Sequence, residues 1–206
     1  MNAVGRMVLL DVRTVSPYHR QGLFMFALYL VLFATRPAVL VPALVLVLTP
    51  MVAAYPFNVG DKAALSTLYA VLPVPRRAVV VGHYAWALST FVVTAGLGTA
   101  AAVIIARFEH VAFGPHLLFL VLTAAWGFFA VTVSLQFPLF IRYGYTRLSL
   151  LGTTLPMALV VGSALKFHLD LDALLDWLPM VWPAGAALIA ASIAVTLLLD
   201  RRGVRG

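Results

Sequence analysis

The chain has 206 residues, 63% of them hydrophobic and only 10% charged, against about 25% charged in a soluble domain. The apolar residues come in long runs, so the sequence reads as an integral membrane protein with no room for a separate soluble domain. The formal net charge of +7 comes with no basic patch or aromatic reader motif, which argues against nucleic acid as a partner, and the absence of cysteine excludes disulfides, thiolate metal sites and cysteine nucleophiles.

Residues 1–20 read as an amphipathic segment lying on the membrane surface. Val8, Leu9, Val12 and Val15 share a face, and Arg6, Arg13 and Arg20 can snorkel to anionic headgroups. Charges this dense are foreign to a cleavable signal peptide. The first span is 21–35, short of the roughly 20 residues expected, so either the bilayer thins or the preceding segment contributes a turn. The second span is 38–55, with kinks expected at Pro42 and Pro50.

A polar loop, 56–77, follows. Within it Leu65, Leu68, Tyr69 and Leu72 recur at i, i+3, i+4 and i+7, one stripe of an amphipathic helix. Asn58 reads as its N-cap, with Asp61 as the acidic partner near the positive helix end, and Pro73 and Pro75 stop it. The helix is too polar to span a bilayer and too amphipathic to be mere linker.

The third span is 78–106, where Gly96, Gly98, Ala100 and Ala102 form small-xxx-small pairs that let helices approach. The fourth is 115–140, followed by a compact basic turn, 142–147. The fifth is 148–165, then a loop, 166–177, bearing Asp170, Asp172 and Asp176. The sixth is 178–199, and 200–206 is a basic tail. The predicted fold is therefore all-α: one transmembrane domain, 1–206, with six spans. Its parts are an interfacial helix (1–20), spans one and two (21–55), a coupling loop (56–77), spans three and four (78–140), spans five and six (141–199) and the tail (200–206).

Six spans place both termini on one side. Eleven of the 14 Lys and Arg residues fall there and only Arg36, Arg107 and Lys166 on the other, a strong positive-inside signal that makes the terminal side cytoplasmic. With the acids included, the two sides carry +8 and −1, which accounts for the whole +7.

The search for chemistry returns little. No acidic residue falls inside a predicted span, where a proton or ion relay would place one. No zinc-protease, Walker or dinucleotide motif is present. Ser163 follows Gly162 as in an intramembrane protease but lacks the rest of that motif, and reads as a packing serine. His168, Asp170 and Asp172 read as a solvated loop, with no metal. His83 reads as a histidine at headgroup level, and Trp86, Trp126, Trp177 and Trp182 as interfacial belts. Thr132, Ser134 and Gln136 are uncharged polar groups in the fourth span. They serve either interhelical hydrogen bonds or the lining of a substrate path.

Two stretches carry more. Asp61-Lys62, Leu72-Pro73-Val74-Pro75-Arg76 and Gly82-His83-Tyr84 follow the second span; Pro138-Leu139, Arg142-Tyr143-Gly144 and Arg147 follow the fourth. In order and spacing the sequence resembles the small six-span membrane subunits of type-2 ABC exporters, the bacterial branch that moves peptides, bacteriocins and drugs. It departs from them at His83, where the family has lysine, and at Thr146, where it has an acidic residue. The resemblance covers the whole chain by span count and loop placement.

It implies a subunit of the bacterial cell membrane with both termini cytoplasmic and no ATPase or cofactor of its own, ATP and Mg being bound by a partner. Two membrane subunits, identical or related, would pair, and each would dock on an ABC ATP-binding subunit. The docking element would be the coupling helix, with Asp61, Lys62, Leu65, Leu68, Tyr69, Arg76 and Arg77, beside a second cytoplasmic loop with Arg142, Tyr143, Gly144 and Arg147. The expected function is ATP-driven export of a hydrophobic or amphipathic substrate, such as a peptide, past Thr132, Ser134 and Gln136. The alternatives are the substrate-binding membrane subunit of a vitamin importer, which usually lacks such a docking helix, and an intramembrane enzyme.

Overall fold

The computed structural model describes residues 3–33, 37–63, 75–110, 114–148 and 171–203, and every regular element among them is helical. In chain order these are α1 (Ala3–Val15), a 3-10 turn (Ser16–Tyr18), α2 (His19–Leu32), α3 (Pro37–Lys62), α4 (Arg76–Phe108), α5 (Pro115–Tyr143) and α6 (Leu171–Gly203). Four stretches, Ala43–Lys62, Arg76–Phe108, Pro115–Tyr143 and Leu178–Leu199, are long and apolar enough to cross a membrane. A helix satisfies its own backbone, which hydrocarbon cannot do for it. The protein is thus an all-α, multi-pass membrane protein. The expected first span is the shorter apolar helix Arg20–Leu32, and the expected fifth span, 148–165, falls almost wholly outside the described residues.

Contacts fix the directions of the helices. Thr49 of α3 meets Thr94 of α4, their hydroxyls 2.6 Å apart, and Val41 and Leu44 lie against Gly98, so α3 and α4 are antiparallel. Phe91 packs on Phe129 at 4.7 Å and Tyr84 on Phe137 at 5.0 Å, so α4 and α5 are antiparallel too. α5 and α6 are parallel: Trp126 stacks on Trp182 and Ser134 meets Ser192, ten residues further along α6. The end of α3, the start of α4 and the ends of α5 and α6 therefore share one end of the bundle, and α1 packs there as well.

The core lies between α3, α4 and α5, where Leu40, Val41, Leu44, Val45, Ala87, Phe129, Val133 and Phe137 are buried. In lipid, close packing and interhelical hydrogen bonds hold helices together in place of the hydrophobic effect, at about 0.6 kcal/mol per hydrogen bond. The bonded pair Thr49–Thr94 and the contact of Tyr84 Oη with Ser192 Oγ at 2.7 Å are of this kind.

Several expectations need correction. The second span does not end at 55: α3 runs on through Pro56 to Lys62, and Ala63 N–H still donates to Val59 O at 2.8 Å. Asn58 lies inside this helix and caps nothing. The extension is held by Phe57, which buries itself against Phe137 and Phe140. On α4, Gly98 and Ala102 face the core as expected, but Gly96 and Ala100 are exposed; the buried small residues follow the helical period through Ala87, Ala95, Gly98, Ala102 and Ala106. Residues 171–177, read from composition as loop though the resemblance implies a short helix before the last span, are the opening turns of α6, so Asp172 and Asp176 stand on a helix. Trp126 is no headgroup anchor. Its Nε1–H donates to Trp182 O at 3.2 Å, while Trp182 Nε1–H donates to Thr123 Oγ1 at 2.9 Å, which binds α5 to α6.

Candidate functional site

The two stretches singled out in the sequence meet at the shared end of the bundle. α5 stops at Tyr143, where Gly144 N–H closes the last turn on Phe140 O at 3.0 Å, and the chain is helical again over 145–148. Across this break Asp61, in the last turn of α3, accepts through Oδ2 from Thr146 N–H at 2.9 Å and from Thr146 Oγ1–H at 3.2 Å. A carboxylate on the first N–H groups of a helix is a cap and suits the positive helix end. It spans two helices rather than closing its own.

Gly144 is required here twice over. Its φ of 82° and ψ of 154° lie in a region reserved for glycine, and a Cβ would stand 3.0 Å from Asp61 Oδ2. Tyr145 then turns inward, its ring 5.1 Å from Phe140. Behind the clamp, Phe57 stands 4.6 Å from the His83 ring and 5.0 Å from Phe137. Aromatic pairs in such geometry contribute roughly 0.5–1.5 kcal/mol each beyond area burial, so α3, α4 and α5 are tied together at this end.

Facing the same cluster is a buried polar pair. His83 Nδ1 lies 3.0 Å from Asp11 Oδ2, and Asp11 is only 1% exposed. Next to it α1 crosses α4 at Gly82, where a Cβ would fall 2.5 Å from Met7 Cγ. Met7 and Asp11 are one turn apart, so they form the packed face of α1. The apolar face expected to lie on the membrane is a different one: there Leu9 and Val12 are exposed. His83, read as a headgroup histidine, is a buried side chain that ties α1 to α4.

The expected docking residues gather around this end. Asp61 and Lys62 are exposed at the end of α3, Arg76 and Arg77 are exposed in the first turn of α4, and Arg142, Tyr143 and Arg147 are exposed at the α5 break. The Arg142 guanidinium sits 5.4 Å from the Tyr143 ring centroid. Leu65, Leu68 and Tyr69 lie outside the described residues. The three path candidates separate. Thr132 and Gln136 line a cavity between α3 and α5, whereas Ser134 faces α6, where its backbone carbonyl accepts from Ser192 Oγ–H at 2.9 Å. Among the described residues no three His, Asp or Glu side chains converge as metal ligands would; His168 and Asp170 lie outside them.

Sequence reasoning missed the Asp11–His83 pair and the role of Thr146. The first had a faint signal: Asp11 stands four residues from Met7 and off the Val8, Leu9, Val12, Val15 stripe. The second had none, because nothing in the loop 142–147 names Asp61 as its partner.

A family model described as ABC-2 family transporter protein matches residues 6–199. Neither the curated proteins nor the solved structures compared with the chain gave a match. With 194 consecutive residues matched by one family model, in a chain of apolar helices in which Asp61, at the end of α3, holds Thr146, just after α5, the chain belongs to the ABC-2 transporter family, as a membrane subunit of an ABC transporter.

Proposed function

We propose that this chain is the membrane-spanning subunit of an ATP-driven exporter, six spans in all. It pairs with a second membrane subunit, identical or related, and docks on a separate ATP-binding subunit that holds ATP and Mg. The end of the bundle that carries Lys62, Arg76, Arg77, Arg142 and Arg147 faces the cytoplasm of a bacterial cell, with both termini on that side, and α1 lies along the headgroups through Leu9 and Val12. The parallel course of α5 and α6 supports a fifth crossing between them.

The Asp61–Thr146 clamp is the observation that carries the docking reading. It ties the end of α3 to the turn after α5, so a force applied at either point is delivered to α3 and α5 together. The stripe Leu65, Leu68 and Tyr69 supplies the apolar anchor, and the surrounding basic residues set register and exclude wrong partners. The cargo is hydrophobic or amphipathic, such as a peptide, and meets Thr132, Ser134 and Gln136 on its way.

Co-purification with the ATP-binding subunit tests this. Leu68→Asp should insert normally but weaken docking about a hundredfold or more, the scale of an interface hot spot. A Leu68→Asp protein that inserts, retains the ATPase and still transports would refute the docking role.

A further inference from the structure

Prolines stand inside α3 and α5 at the same level of the bundle. Pro56 of α3 precedes Phe57, Pro138 of α5 follows Phe137, and these two rings are 5.0 Å apart. A proline inside a helix withholds one backbone N–H and is the usual cause of a sharp kink. Beyond the two prolines the helix ends are tied to each other: Phe57 packs on Phe140 at 5.8 Å, and Asp61 holds Thr146. Before Pro138, α5 is instead tied to α6 through Trp126, Trp182 and Thr123. α4 runs through 33 residues without a proline, and α6 has none after Pro183. Two proline-broken ends, bound to each other, thus sit beside two uninterrupted helices.

The break in α5 is bridged from α6. Pro138 has no N–H to give to the Ser134 carbonyl one turn back, and Ser192 Oγ–H donates there at 2.9 Å. That uses the only proton of the Ser192 hydroxyl, so Tyr84 Oη, 2.7 Å away, is the donor in their contact. Thr196 Oγ1–H goes to Ser192 O at 2.8 Å, so towards Tyr84, at 3.3 Å, it too only accepts. The bonds therefore run one way, from the buried Tyr84 through the buried Ser192 to Ser134. Hydrogen bonds between membrane helices are individually weak, which suits a contact that opens and closes. Space for movement flanks α5 at this level, about 260 Å³ beside Thr132 and Gln136 towards α3 and about 340 Å³ beside Ser134 and Pro138 towards α6; a close-packed surround would resist bending.

We propose that the ends 57–62 of α3 and 139–148 of α5 swing as one body about Pro56 and Pro138, with the Ser192 hydroxyl, oriented by Tyr84, as the latch that holds the hinge of α5 against α6. This rests on the transport reading above and adds its moving part. A push on the basic end turns the joined tips, while α4 and α6 keep their course. When the latch opens, the Ser134 carbonyl turns out of reach of Ser192.

The test uses the full chain in lipid nanodiscs without any ATP-binding subunit, so that a failure of docking leaves its outcome untouched. The chain has no cysteine, so nitroxide labels can be placed in pairs by Lys62→Cys, Tyr143→Cys and Leu198→Cys, all at exposed positions. Labelled chain is diluted with unlabelled chain, so that the electron–electron distances read arise within one chain. A turn of about 20° at the hinge displaces Tyr143, about 7 Å beyond Pro138 along the helix, by about 3 Å. The expected result is two distances, separated by about that much, for the pairs 143–198 and 62–198, in the same proportions, and a single distance for 62–143. Pro138→Ala, which returns the N–H, should reduce the 143–198 pair to one distance. Ser192→Ala should raise the weight of the minor distance about threefold, the worth of one such bond. Ser89→Ala, which removes a hydroxyl bonded within its own helix, should leave the proportions unchanged. A single 143–198 distance in wild type, a 62–143 distance that spreads as widely as the other two, or proportions that Pro138→Ala and Ser192→Ala leave unchanged would overturn the proposal. If Pro138→Ala fails to insert, Pro56→Ala is read in its place through the 62–198 pair.

Discussion

Asp61 holds Thr146 by two hydrogen bonds to one carboxylate oxygen, across 85 residues of sequence. Threonine at 146, where the resembled pattern has an acidic residue, offers Asp61 a hydroxyl as well as its backbone N–H. The end of α3 and the turn after α5 are thus joined.

The clamp has a measurable worth. Asp61→Ala should cost about 1 kcal/mol, the typical value of a lost cap, at the low end because the site is exposed, and Thr146→Val less, because its backbone N–H still donates to Asp61. The former is a fall in melting temperature of roughly 2–4 °C for a chain of this size. Gly144→Ala should cost more, since it adds backbone strain of about 1–3 kcal/mol to the contact with Asp61. Differential scanning fluorimetry in detergent checks the order, and the double mutant Asp61→Ala, Thr146→Val should be little worse than Asp61→Ala alone. Full additivity would show that the two residues do not act as a pair.

The attachment of α1 is testable in the same way. His83→Ala leaves Asp11 buried with neither oxygen partnered, since Oδ1 already lacks a partner, and breaking a buried pair of this kind costs about 3 kcal/mol. Trypsin should then cut faster at Arg6 and Arg13. Gly82→Ala should have the same effect for a steric reason, since the added Cβ would stand 2.5 Å from Met7 Cγ and 2.7 Å from Met7 Cβ. Cleavage as slow as in wild type would mean that α1 is held by other contacts.

The proposed topology rests on charge and on the shared bundle end. A fluorescent reporter fused after Arg205 should be active, as in cytoplasm, and alkaline phosphatase inserted near Asp172 should be active, as outside. Phosphatase activity from the fusion after Arg205 would invert the arrangement and remove the basic end from reach of an ATPase.

Most of the helical plan was legible because membrane helices announce themselves as apolar runs: α4, α5 and the span Leu178–Leu199 match their predicted bounds within about three residues at each end. What sequence could not show was partnership. Phe57 looked like loop because its burial depends on Phe137 and Phe140, some 80 residues away. Asp61 looked like a local cap because a carboxylate near a helix start usually is one. Gly96 and Gly98 looked equivalent by spacing, and only the packing of α3 on α4 tells the buried one from the exposed one. The candidate loops stood out by resemblance, and the structure supplies the physical reason that Asp61 and Gly144 belong together.

Docking at the basic end is the central claim, and the chain contains no cysteine, which allows one decisive measurement. A single thiol placed by Leu68→Cys, or at the opposite end of the bundle by Asp172→Cys, is treated with a short maleimide–photoreactive linker in membranes that also contain the ATP-binding subunit. The account predicts a cross-linked product with the ATP-binding subunit from position 68 and none from position 172. Cross-linking from 172, or an accessible thiol at 68 that never captures the subunit, would contradict it.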